Sequence, residues 1–167
     1  MSSSVLKSEL RDGVHGLTLN RPKKRNALNG DLVSALSDAL ARAAADDDVR
    51  VILLRGEGKD FCAGADLAEL ERVAELDHGA SVAHAMELGD LFIRMRRHPK
   101  PIVAAVHGRA LAGGCGLAMA CDLILAREDA ELGYPEVDLG FVPAMVMAIL
   151  RRRVSEPVAF ELVATGA

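Results

Sequence analysis

Apolar and polar positions change period several times along the chain, and each change predicts an element. Residues 5–10 and 15–20 are short strand-like runs joined by Arg11-Asp12-Gly13, which predicts a hairpin. The period then lengthens: Leu32, Leu36, Ala39, Leu40 and Ala43 recur at helical spacing, with Asp31 as the expected cap and Ala45-Asp46-Asp47-Asp48 as the stop. Residues 49–55 carry a Val-Ile-Leu-Leu run that predicts a strand buried on both faces. A Gly-rich loop, 56–64, leads into a helix near 67–74, and a longer helix over roughly 81–97 stops before Pro99.

Residues 101–106 (Pro-Ile-Val-Ala-Ala-Val) predict another buried strand, 107–113 a loop, 114–121 a short helix of small residues, and 122–126 a further strand. A last helical pattern covers 158–164. Strands alternating with helices imply an α/β fold with a mostly parallel sheet in a single domain. No internal repeat is legible in the residues themselves.

Composition narrows the function classes. Half of the 167 residues are hydrophobic, but only 3% are aromatic and Trp is missing, so the core must be aliphatic. A net charge of −4 argues against a nucleic-acid partner, although local basic clusters could still meet a phosphorylated ligand. Cys62, Cys115 and Cys121 show no metal-ligand spacing, and free thiols fit a reducing compartment. The start of the chain lacks a basic segment followed by a long apolar run, and the apolar stretch 141–150 is too short to span a bilayer. The expectation is a cytoplasmic protein with no membrane partner and no metal.

Three segments could carry chemistry. Phe61-Cys62-Ala63-Gly64-Ala65-Asp66-Leu67 joins a strand to a helix through small residues, with Asp66 able to cap that helix. His107-Gly108-Arg109-Ala110-Leu111-Ala112-Gly113-Gly114-Cys115-Gly116-Leu117 repeats the logic. Each joint alone reads as ordinary packing. Together they offer two sets of helix-start N–H groups, the components of an oxyanion hole, with each donor worth about 3–4 kcal/mol. The third is Gly133-Tyr134-Pro135-Glu136-Val137-Asp138-Leu139-Gly140, where Glu136 is either a solvated loop carboxylate or an acid/base group among apolar neighbours.

Taken together, these segments resemble the crotonase family, the enoyl-CoA hydratases and isomerases. Asn20-Arg21-Pro22-Lys23-Lys24-Arg25-Asn26-Ala27-Leu28 is similar to the family's early CoA-contacting loop, the two Gly-rich joints to its oxyanion segments, and Cys121-Asp122-Leu123 and 133–140 continue in register. The resemblance implies a spiral of repeated ββα units, an acyl-CoA substrate with coenzyme A as part of it rather than a separate cofactor, and assembly as homotrimers or hexamers. It assigns the Ala65 and Gly113 N–H groups to the thioester oxygen and Glu136 to acid/base work. Lys24, Arg25, Ala27, Ala63, Asp66, Leu67 and Gly114 would line the substrate site, Asp66 mainly bracing its loop.

The family's hydratases carry two catalytic glutamates, and the first position is Gly116 here. That departure favours double-bond isomerisation, which one base can perform, with Asp138 and Glu69 as other carboxylates to consider. The resemblance also implies a further helical portion beyond residue 167 that would cover the site. Two rivals stand beside this reading. One is a cysteine thioesterase or acyl-transferase with Cys115 as nucleophile and His107 as base. The other is an acyl-CoA-binding or assembly protein that has lost catalysis.

Overall fold

The computed structural model describes residues 4–75 and 77–166. Strands β1 (Leu6–Arg11) and β2 (Val14–Leu19) form the expected hairpin, paired Arg11 to Val14 at the turn. Asp12 and Gly13 have φ of 52° and 82°, the left-handed pair that a two-residue hairpin turn of this hand requires.

Helix α1 (Gly30–Ala45) buries Leu32, Leu36, Ala39, Leu40 and Ala43, the stripe that the spacing predicts. Its cap is Asn29 rather than Asp31: Asn29 is extended, and its side chain accepts from Leu32 N at 3.2 Å. Asp31 falls in the first turn, where its charge still complements the helix dipole.

Strand β3 (Val51–Gly56), helices α2 (Leu67–Ala74) and α3 (His78–Arg96), and strand β4 (Ile102–Val106) follow. Next come strand β5 (Arg109–Leu111), helix α4 (Gly113–Ala120), and strands β6 (Leu123–Ala126) and β7 (Glu131–Gly133). A 3-10 turn at Pro135–Leu139 precedes helices α5 (Ala144–Leu150) and α6 (Glu156–Thr165). Strand β5 lies within the segment expected to be a loop, and β7 had no strand signal. At three residues each, neither is long enough for its alternation to be read.

The main sheet runs β1-β2-β3-β4-β6, parallel except for the hairpin. In β3 only Ile52 and Leu54 are fully buried, and Val51 and Leu53 are half-covered. The Val-Ile-Leu-Leu run thus has one core face, because the helices that pack most closely gather on the side of Leu17, Leu19, Ile52, Leu54, Ile102 and Ala104.

A second row of short parallel pairings crosses the ends of these strands. Leu28 bridges Ala65, Cys62 bridges Ala110, and β5 pairs with β7. Each passage from the main sheet into this row leads on to a helix: β2 through Leu28 to α1, β3 through residues 62–65 to α2, and β4 through β5 to α4. These are repeated ββα units of an α/β spiral. The repeat is invisible in the residues because each second strand is one to three residues long.

Asn26 locks the row to the sheet. It is fully buried, its amide donates to Glu57 O (2.9 Å) and Asp60 O (2.8 Å), and its oxygen accepts from Arg21 N (2.9 Å). Removing that amide leaves three main-chain groups without it, the Asp60 carbonyl buried and the other two part-buried, at about 1–3 kcal/mol for each one kept from water. Asn26→Ala should therefore lower the unfolding free energy by about 3 kcal/mol in urea denaturation, whereas an exposed control such as Lys23→Ala should change it by less than about 0.5 kcal/mol.

Candidate active site

Main-chain hydrogen bonds assemble the site. Ala63 N donates to Arg25 O (3.0 Å), Leu28 N to Gly64 O (2.7 Å) and Asp66 N to Leu28 O (2.9 Å), so the basic loop lies alongside the first Gly-rich joint. Cys62 N donates to Arg109 O (3.1 Å) and Leu111 N to Cys62 O (3.0 Å), which lays the second joint against the first. Ala112 N then reaches Gly133 O (2.9 Å), two residues before the turn that carries Glu136.

This row brings Ala65 and Gly113 together. A methyl group placed on Gly113 would lie 3.9 Å from Ala65 N, and one placed on Gly64 would lie 3.5 Å from Gly113 N. Among the described residues neither N–H has an acceptor, as expected for groups at or just before a helix start.

The approach is close enough to require glycine at two points. Gly64 has φ 97°, and any side chain there would meet Ala112 Cβ and Leu111 O, each at 3.0 Å. At Gly114 a methyl would sit 2.2 Å from Cys62 O. Ala112, which precedes α4, adopts φ 52° and ψ −124°, an unusual conformation for a residue with a Cβ. Its bond to Gly133 O and the bond from Gly116 N to its own carbonyl (3.0 Å) hold it there, and the strained peptide sets the direction of the Gly113 N–H.

Two arginine–aspartate pairs brace the frame from behind. Arg21 Nη2 lies 2.7 Å from Asp66 Oδ2 with both side chains mostly buried, and Asp66 Oδ1 also caps α2 through Ala68 N. Burial opposes ionisation of Asp66, but the hydrogen bond and charge of Arg21 outweigh it and hold the carboxyl below the usual range. Asp60 is buried under Arg109, with contacts of 3.0 Å to Nε and 3.2 Å to Nη2, and is held low in the same way against its own desolvation. Neither Arg21 nor Asp60 stands out in the sequence as a site residue, because their partners lie 45 and 49 positions away.

Lys24 and Arg25 are exposed beside this frame, with Arg25 Nε 3.8 Å from Asp60 Oδ2. Leu67 is largely exposed, Ala63 partly so, and Ala27 and Gly114 are buried.

Glu136 stands on the 3-10 turn and is partly buried. Its Oε2 atom is out of solvent and has no hydrogen-bond partner among the described residues. Burial raises its pKa above the ordinary carboxylate value, with a backbone hydrogen bond only partly offsetting the effect. Asp138, two residues on, is exposed. Glu69 accepts from Gly30 N at 2.8 Å and ties α2 to the start of α1.

Gly116 is closely packed: a methyl there would lie 2.3 Å from Val146 Cγ1 and 3.3 Å from Phe92 Cζ, so any side chain requires Val146 to shift. Cys115 is 1% exposed and burial pushes its thiol up to about 11, while the His107 ring bonds Gly58 O at 2.9 Å. A buried thiol that stays protonated near neutral pH is a poor nucleophile.

Residues 9–167 match the family described as enoyl-CoA hydratase/isomerase. The chain belongs to the enoyl-CoA hydratase/isomerase family. A Thermus thermophilus protein bearing an enoyl-CoA hydratase name is 51% identical over 89% of this chain and 58% of its own length. The 2,3-dehydroadipyl-CoA hydratase of Escherichia coli is 41% identical over 90% of this chain and 57% of its own. The crystal structure of an enoyl-CoA hydratase from Mycobacterium smegmatis superposes with a TM-score of 0.93 at 36% identity, covering 99% of this chain and 64% of that one. The chain thus spans less than two thirds of these relatives, within the crotonase fold.

All three thiols, Cys62, Cys115 and Cys121, are buried, and burial pushes them up to about 12, 11 and 12 respectively. Iodoacetamide at pH 7.5 should leave the native protein unlabelled and modify all three cysteines in urea. Rapid labelling of native Cys115 would reopen the thioesterase reading.

Proposed function

We propose that this chain binds an acyl-CoA thioester, stabilises its enolate with the Ala65 and Gly113 N–H groups, and moves a double bond with Glu136 as the single acid/base. The observation that carries the reading is the pair of adjacent, acceptor-free amides, supported by a partly buried Glu136 on the turn that Gly133 ties to the same row and by a Gly116 that contacts Val146 and Phe92. Lys24 and Arg25 face solvent, as groups meeting the phosphates of coenzyme A must, and Ala27, Ala63, Leu67 and Gly114 shape the backbone beside them. Asp66, pinned by Arg21, braces that loop rather than exchanging protons.

In this reading a 3-enoyl-CoA enters with its thioester oxygen on the two amides. Glu136 takes a proton from C2, and the electron pair spreads onto the oxygen, where each donor is worth about 3–4 kcal/mol. Glu136 returns the proton at C4 as the electrons shift, leaving the double bond between C2 and C3. No water is consumed. Hydration is the second reading, favoured by the hydratase names of the relatives, but it must activate a water and deliver a proton, work that a carboxylate at position 116 would share.

Incubating the protein separately with a 2-enoyl-CoA and a 3-enoyl-CoA should yield interconversion of the two. A 3-hydroxyacyl-CoA as main product would overturn isomerisation in favour of hydration. Glu136→Gln should cut turnover by about 100- to 10,000-fold while leaving acyl-CoA affinity nearly intact, and a loss below about threefold would remove Glu136 from its role. Because the base form is required and burial raises the Glu136 pKa, kcat/KM should fall on acidification with a midpoint above the ordinary value of about 4.3.

A further inference from the structure

A cavity of about 200 Å³ opens beside Ala65, between α2 and α3. Leu28, Val33, Leu70, Val73, Leu88 and Met145 give it apolar walls. Its near end is the amide pair, since a methyl on Gly113 would lie 3.7 Å from Leu28 Cδ1 and 3.9 Å from Leu88 Cδ2. Its far end is closed where Ser81 Oγ donates to Val73 O at 3.1 Å. The two helices run in opposite directions, because Ser81 meets Val73 while His84, one turn on, meets Glu69, one turn back.

One polar rung crosses between these ends. His84 Nε2 lies 3.6 Å from Glu69 Oε1, the same oxygen that accepts from Gly30 N at 2.8 Å. Glu69 is thereby anchored to the start of α1, with the His84 ring facing it across 3.6 Å. Glu69 follows Asp66 by three residues, so the rung stands about 4.5 Å along α2 from the amide end, whereas Val73 is about 10 Å along. An extended chain advances about 1.2 Å per bond, so the rung is met about four bonds beyond the thioester carbon. The cavity itself is smaller than the roughly 300–1,000 Å³ of a site for drug-sized ligands.

We propose that this cavity receives the acyl chain of a short-chain acyl-CoA, about four to six carbons long, and that His84, facing Glu69 across the cavity, sets that limit. The proposal rests on the acyl-CoA reading above. A methylene that reaches the rung must displace the imidazole from its carboxylate or bury itself against polar atoms, so it gains nothing from leaving water.

The test is a binding ladder of coenzyme A and saturated acyl-CoAs from four to twelve carbons, read by calorimetry so that turnover is not needed. Affinity should rise by about fourfold for each methylene up to about six carbons and then level off. In His84→Ala the rise should continue by two or more carbons, and in His84→Phe it should stop earlier. An unbroken rise to twelve carbons in the unmodified protein, or a break that neither variant moves, overturns the proposal. Equal binding of coenzyme A and every thioester also overturns it while leaving the coenzyme A site standing. If neither coenzyme A nor any thioester binds, the acyl-CoA reading falls and this proposal with it.

Discussion

Leu28 N–H donates to Gly64 O, Cys62 N–H to Arg109 O, and Ala112 N–H to Gly133 O, and this line of main-chain bonds decides where everything else in the site can be. Four segments distant in sequence are laid side by side at hydrogen-bond spacing. A side-chain contact could slip by an ångström, but a ladder bond fixes register to the residue. The two joints therefore bring their spare N–H groups to neighbouring points without any side chain aiming them. Asn26 is the fastening that makes the line rigid, since its one amide ties the 21–27 loop to the carbonyls of Glu57 and Asp60.

Electrostatics divides the carboxylates around this frame into two kinds. Asp60 and Asp66 are as buried as any acids in the chain, yet each has an arginine and a main-chain N–H, so each stays ionised and structural. Glu136 is less buried but has no cation beside it among the described residues, and desolvation shifts it toward the neutral form. Environments of these two kinds push carboxyl groups in opposite directions, down where an arginine pairs with the acid and up where burial acts without one. The distinction follows from partners, not from burial.

Much of this was legible in the sequence, and what was not has a common cause. The α1 stripe, the α2 boundaries and the two Gly-rich joints follow from period, capping residues and glycine, all properties of neighbouring positions. The strands β5 and β7 and the ββα repeat were hidden because a three-residue strand has no period, and its partner is set by chain trajectory rather than composition. Arg21 and Asp60 were missed for the same reason: one lies in a basic loop and the other in the Gly-rich loop 56–64, and only the fold brings Asp66 and Arg109 to them. The Asp31 cap failed more locally, as Asn29 lies two residues earlier and is equally suited to the position.

The packing that creates the amide pair also limits what chemistry can be added to it. To bring Gly113 beside Ala65, α4 must press its first turn onto the Cys62 strand, and at Gly114 that leaves no space for a side chain. The opposite face of the same turn meets Val146 of α5 and Phe92 of α3, so Gly116 is hemmed in as well. A carboxylate at 116 would need the Val146 side chain to move, because Val146 Cγ1 occupies the volume of its Cβ. The smallness of this turn is therefore a consequence of geometry on both sides. The 3-10 turn, tethered to the row through Gly133, is a separate element and carries Glu136, a partly buried carboxylate with no cation beside it among the described residues.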